Sequence, residues 1–173
     1  LHRVATLQEV VPGADTVVLT GAEVLADLVV SKRDHPMLVG PDAESAQWIA
    51  RAAARHRLDH LVCTKLRKGD REVAVALPDG DVAGRSAVIL DDMASTGHTI
   101  AAAARLLRDA GAASVDAAVT HALFTAQAME LMRASGIGAI WSTDCVTHAS
   151  NAVSMAGLLA DALRRLQAQA TPG

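Results

Sequence analysis

One stretch of this 173-residue sequence gathers residue types that suit the recognition of a phosphorylated sugar: Val88-Ile89-Leu90-Asp91-Asp92-Met93-Ala94-Ser95-Thr96-Gly97-His98-Thr99. It reads as an apolar strand, two adjacent acids at its carboxyl end, then a small-residue turn that opens a helix. The start of a helix offers unpaired N–H groups and a positive partial charge, so it binds phosphate. Ser95, Thr96 and Thr99 add hydroxyls, and Gly97 lets the backbone close around an anion. Asp91 and Asp92 suit the other end of the same ligand, because carboxylates accept from ribose hydroxyls and hold Mg²⁺ directly or through water. Taken singly, an Asp pair ends a strand and a Ser or Thr caps a helix; it is the whole pattern that points to function.

Elsewhere the chemistry-bearing candidates are sparser. Lys65 and Arg67 stand at the end of an apolar run and the head of a long polar segment, 66–84, where cations could close over a phosphate chain. Loops of that length in compact domains are usually functional or disordered. His56 and His60 straddle a helix end and a strand start, which does not suit a shared metal. Cys145 and His148 lack the second pair that a zinc site needs. Gly136-Ile137-Gly138 is a turn and not a dinucleotide fingerprint, and no Walker-type loop is present.

Around these residues, short apolar runs alternate with helical patterns, the signature of βαβ units and a parallel sheet. Strands are predicted at 16–20, 37–40, 60–65, 86–92, 114–121 and 139–142. Helices are predicted at 21–30, 44–56, from the 95–99 turn to 110, at 126–134, and at 153–167. Ile100, Ala103, Ala104 and Leu107 face inward on the third of these, with Arg105, Arg108 and Asp109 outward and Gly111 as a left-handed cap. Ser150 and Asn151 read as the cap of the last helix. Segment 66–84 has room for a short hairpin through 72–77. The expected architecture is one α/β domain over 1–173, a doubly wound, mostly parallel sheet flanked by helices, with ligands at the carboxyl ends of its strands.

Composition narrows the class. Hydrophobic residues make up 51% and aromatic residues 2%, so the core must be aliphatic and stacking platforms for single-stranded nucleic acid are missing. A net charge of -3 provides no basic field for nucleic acid or an anionic membrane. No apolar run reaches membrane-spanning length. Cys63 and Cys145 are expected to be buried, reduced thiols of a cytoplasmic protein. The chain opens Leu1-His2-Arg3 without Met, which suggests a fragment or a processed product.

The Asp-Asp-x-x-Ser/Thr-Thr-Gly-x-Thr stretch resembles the PRPP-binding loop of the type I phosphoribosyltransferase fold. Its surroundings resemble the ribose-phosphate diphosphokinases (PRPP synthetases), and specifically their C-terminal half. Val39-Gly40-Pro41-Asp42-Ala43 is similar to that family's diphosphate loop, although Glu44-Ser45 stand where the family usually has a glycine pair. Lys65-Leu66-Arg67 is similar to its Lys-x-Arg, Thr120-His121-Ala122-Leu123-Phe124 to its Thr-His-Gly-Leu-Phe, and Leu1-His2 to its Asp-Leu-His metal motif. The resemblance implies diphosphate transfer from Mg-ATP to the anomeric hydroxyl of ribose 5-phosphate, giving PRPP and AMP. It implies Lys65 and Arg67 as catalytic residues on a flexible loop at 66–84. Ribose 5-phosphate would be bound by Arg67, Asp91, Asp92, Ser95, Thr96, Gly97, His98 and Thr99. Asp42 and Ala43 would form the diphosphate loop, and His2 and Asp42 would be Mg²⁺ contacts. A homo-oligomer lacking its N-terminal domain in this chain is also implied. Two other readings stay open: a phosphoribosyltransferase that consumes PRPP, and a non-catalytic synthetase-like regulatory subunit.

Overall fold

The structure is a computed structural model that describes residues 10–68, 72–78 and 80–170. In chain order it runs α1 (Ala22–Lys32), β1 (Met37–Gly40), a 3-10 turn (Ala43–Ser45) leading into α2 (Ala46–His56), β2 (His60–Val62), β3 (Thr64–Lys68), β4 (Glu72–Ala76) and β5 (Ser86–Ala94). It continues with α3 (His98–Asp109), β6 (Ser114–Ala122), α4 (Ala126–Ala134), β7 (Ile137–Thr143), β8 (Asn151–Val153) and α5 (Ala156–Ala170). Six strands form one sheet in the order β2-β1-β5-β6-β7-β8, and every neighbouring pair in it is parallel. β3 and β4 form a separate antiparallel ribbon in which Lys65 lies opposite Val75 and Arg67 opposite Val73.

Alternation along β5 explains the layering. Val88 and Leu90 pack with α1 and α2 on one face, while Ala87 and Ile89 pack with Ile100, Ala103, Ala104 and Leu107 of α3 on the other. Val75 and Leu77 anchor the base of the ribbon against this second face. The inward face expected for α3 is the buried one, and Gly111 takes φ 86° behind it. Among the described residues no helix is long and apolar enough to cross a membrane.

The strand order places a switch point. From β1 the chain steps outward to β2, then crosses back over β1 to begin β5 on its other side. Loops leaving neighbouring strands in opposite directions open a crevice at the carboxyl edge, between β1 and β5.

Several expectations need correction. Segment 16–20 is not a strand: Val17 and Val18 are 43% and 65% exposed, and it has no ladder partner. Thr20 instead accepts from the Ala22 amide at the start of α1. The strand expected at 60–65 divides at Cys63, where the chain leaves the sheet for the ribbon. The last helix starts at Ala156, because 151–153 is used as an edge strand beside Ser142 and Thr143. Asn151 is therefore not its cap. Both thiols are free, but only Cys63 is buried; Cys145 is exposed in the turn after β7.

Candidate functional site

The crevice brings together two loops that lie far apart in sequence. β5 projects Asp91 and Asp92 at its carboxyl end, and the chain then turns through Ser95, Thr96 and Gly97 into α3. β1 ends at Gly40, and Asp42 follows at the head of the 3-10 turn. Two adjacent parallel strands thus deliver three acids to one sheet edge.

Gly97 sits at φ 74°, in the left-handed region, as the residue preceding α3. A Cβ there would also come within 3.1 Å of the Met132 side chain and 3.3 Å of the Ala128 carbonyl on α4. Glycine is thus required twice, for conformation and for helix packing. Gly97, the N-cap of α3, makes no side-chain cap bond, so its position offers no capping oxygen to the first-turn amides. Ser95, Thr96 and His98 are exposed and Thr99 is half-buried. Ser95, Thr96 and His98 face Thr125, Gln127, Ala128 and Leu131 of the α4 region across an open groove of about 390 Å³.

The acids repel one another. Burial, and then the Asp92 charge, push the Asp91 carboxyl up to about 7, with the Asp42 charge adding to the effect. The Asp92 amide, which donates to Asp91 Oδ1 at 2.9 Å, only partly opposes this. Burial, with the Asp42 charge behind it, pushes the Cys63 thiol up to about 11, so it is a packed hydrophobe and no nucleophile. Among the described residues no three His, Cys, Asp or Glu side chains group around a metal point. The donors here are hard carboxylate oxygens carrying excess negative charge. They fit Mg²⁺, which is commonly held by one or two carboxylates together with phosphate and water. His2, the other expected metal contact, lies outside the described residues.

The remaining expected residues fall at the same edge or on the ribbon. Ala43 begins the 3-10 turn, while the backbones of Lys65 and Arg67 lie in β3 rather than in a loop. Thr120, His121, Ala122 and Leu123 end or follow β6 beside β5, with Met93 paired to His121 and Ala94 to Ala122. Phe124 is buried behind them.

Sequence reasoning missed one network at the carboxyl end of β7. Asn151 Nδ2 donates to Ser142 Oγ (2.9 Å) and to the Thr143 and Val146 carbonyls (2.6 and 3.0 Å), and its Oδ1 accepts from the His148 amide (2.9 Å). His148 Nδ1 meets Ser150 Oγ at 2.7 Å, and its ring stands edge-on to Phe124 with centroids 4.6 Å apart. The 144–150 loop is thereby tied to the residue that precedes Thr125, the α4 cap. Nothing in the local pattern distinguishes such an Asn from a helix cap.

Comparison with known proteins now decides the family. Residues 44–171 match the family model described as a phosphoribosyl synthetase-associated domain. The chain belongs to the phosphoribosyl synthetase family. It is 39% identical over 171 residues to the ribose-phosphate pyrophosphokinase of Methanopyrus kandleri, covering 96% of this chain and 57% of that protein. It is 37% identical over 162 residues to ribose-phosphate pyrophosphokinase 1 of Archaeoglobus fulgidus, covering 91% and 55%. The crystal structure of phosphoribosylpyrophosphate synthetase from Mycobacterium smegmatis superposes with a TM-score of 0.69 at 25% identity, covering 86% of this chain and 51% of that one. APRTase from Giardia lamblia shares the fold alone, with a TM-score of 0.55 at 17% identity over 70% of this chain and 77% of its own. The phosphoribosyltransferase-like architecture expected from the sequence is therefore the one present. The chain spans about half the length of the curated relatives it matches.

Proposed function

We propose that this chain is the ribose-5-phosphate-binding half of a ribose-phosphate diphosphokinase. The observation that carries the proposal is the end of β5, where two acids are followed within one short turn by a helix whose N-cap is a glycine making no side-chain cap bond. In this assignment the 5-phosphate sits on the α3 amides and the Ser95, Thr96 and Thr99 hydroxyls, with His98 lining the approach. Asp91 and Asp92 accept from the ribose hydroxyls, which leaves the anomeric carbon facing the β1 loop.

The transferred diphosphate would lie along 40–45, between Asp42 and the acids of β5. Mg²⁺, held by Asp42 or by one of those acids together with phosphate and water, would supply charge neutralisation for ATP and for the diphosphate. The anomeric oxygen attacks the β-phosphorus, the bond to the α–β bridging oxygen breaks, AMP leaves, and the hydroxyl proton passes to solvent or a nearby carboxylate. Reactions of this kind depend on in-line positioning and charge stabilisation rather than on a protein nucleophile. Lys65 and Arg67 suit that role from the ribbon, Arg as a planar fork of donors and Lys as a point charge. We place the enzyme in the cytoplasm as a homo-oligomer, with the adenine contacts supplied from outside this chain.

Two measurements test the assignment. Calorimetry of this chain with ribose 5-phosphate should show binding that Thr96→Ala weakens and Gly97→Ala abolishes; equal affinity in all three proteins would remove the site. The full-length protein should release AMP from ATP only when ribose 5-phosphate is present. Consumption of PRPP with a nucleobase would instead make it a phosphoribosyltransferase.

A further inference from the structure

Among the described residues, large apolar side chains stand in solvent at two places. Met93 and Leu123 flank the crevice; the others belong to the irregular stretch 10–19 and to α5. Val10, Val11, Val17 and Val18 come from the first, and Leu159 and Leu163, 50% and 60% exposed, from the second. The two meet: Thr16, Val17 and Leu19 face Leu158, Ala162 and Leu166 across a groove of about 230 Å³. α5 is tied at its head, where Asp144 Oδ1 accepts from the Met155 amide (2.8 Å) and Ser154 Oγ from the Ala156 amide (3.2 Å). Beyond that it lies along no other described helix or strand, and neither buried cluster of the fold includes a residue of α5 or of 10–19. Leu158, Leu159, Ala162, Leu163 and Leu166 nonetheless recur with helical period as one apolar stripe. One edge of that stripe closes the groove against 16–19; the other, Leu159 and Leu163, faces out. A 15-residue helix is marginal by itself in water, so such a stripe needs a cover.

We propose that α5, with the stretch 10–19, is the docking surface for the half of the full-length protein that this chain does not span. Relatives that match nearly all of this chain do so with little more than half of their own length, so each carries a further stretch of almost the same size. Two halves of one protein meet through a face on each, and a contiguous apolar face left in solvent marks such a place. The charge at its edge fits the same partner: Arg164 is met by Asp161 within the helix at 2.5 Å, so what covers Leu159 and Leu163 is apolar rather than acidic. The proposal rests on the reading of this chain as one half of a longer enzyme, and it assigns α5 to the seam between the halves.

Leu159→Asp combined with Leu163→Asp tests this in two contexts, the 173-residue chain and the full-length protein. In the 173-residue chain the double variant should leave the melting temperature unchanged, since both side chains stand in water there. In the full-length protein it should lower the melting temperature and speed deuterium exchange of the α5 amides about 10²-fold, the factor that burial of two leucines supplies. No change in either context would show the face uncovered, and equal loss in both would show α5 packed within this half; each overturns the proposal. So would a 173-residue chain that sediments as a dimer and becomes a monomer in the double variant while the full-length protein is unmoved, which would make a second copy the occupant. If the double variant folds in neither context, the wild-type proteins decide. Their α5 amides should exchange about 10²-fold more slowly in the full-length protein than in the shorter chain, and equal rates refute the seam. AMP release is a separate readout: its absence from a full-length protein with a protected α5 would sink the diphosphokinase reading and leave the seam standing.

Discussion

The Asp92 backbone amide donates to the carboxylate of Asp91 at 2.9 Å, yet the same residue's side-chain charge pushes that carboxylate up. Burial contributes most, and Asp91 ionises at about 7 rather than near 3.8. A carboxyl whose pKa is raised on folding favours the fold when protonated. Its contribution is fully present below the unfolded value, about 4, and is lost as pH rises through 7. Half-burial discounts the effect to the order of 1–2 kcal/mol. The chain should melt at a lower temperature at pH 8 than at pH 5.5, Mg²⁺ should narrow the difference, and Asp91→Asn should remove most of it. Thermal melts of the two proteins across this range check the prediction, and parallel slopes would contradict it.

Gly97→Ala should destabilise the fold by about 1–2 kcal/mol, the cost of a left-handed Ala, plus whatever α4 must yield at Met132 and Ala128. Sugar-phosphate affinity should fall further than stability does, since the same turn aims the α3 amides. Gly84→Ala gives the control: it too has positive φ (72°), but nothing lies within 4 Å of its Cβ and it is remote from the crevice loops. It should lose a similar amount from strain alone while leaving binding intact.

Asn151→Ala removes four hydrogen bonds from the turn after β7 and strands the Thr143 and Val146 carbonyls. A loss of about 2–3 kcal/mol is expected from the unmet polar groups. Ser154→Ala, which removes a hydroxyl that accepts from the Ala156 amide, should cost about 1 kcal/mol, the ordinary value for a helix cap. Urea unfolding that ranks the two in the opposite order would show that Asn151 is the lesser tie.

Lys65→Ala and Arg67→Ala in the full-length protein should each reduce kcat about 10²-fold while changing the melting temperature little, as for loss of one contact made to developing charge. A matching loss in melting temperature would make them structural members of the ribbon.

Much of the layering was legible because buried parallel strands are continuous apolar runs and the α3 face repeats with helical period. The 126–134 helix and the 37–40 strand stand where the sequence placed them. The placement of acids, hydroxyls and glycine at the carboxyl end of β5 was equally legible, since they follow one another along the chain. What stayed hidden depended on partners distant in sequence. Val17 and Val18 have strand-forming side chains, but β propensity has no consequence where the segment pairs with no strand of the sheet. Residues 151–153 read as the cap and first residue of the last helix until the edge of β7 claims them. Asp42 was picked out as a ligand, yet its grip on the Glu44 amide is a matter of side-chain direction that spacing does not encode.

Among the described residues the ribbon formed by β3 and β4 joins no third strand, and it is held to the body at its base through Val75 and Leu77. Two-stranded ribbons are marginal in water, and hairpins form within about 1–10 μs. Its backbone amides should therefore exchange with deuterium far sooner than those of β5, which lies between two neighbours. Under the proposed assignment such an arm would set the timing of catalysis, and thickening the solvent with sucrose should slow turnover of the full-length protein.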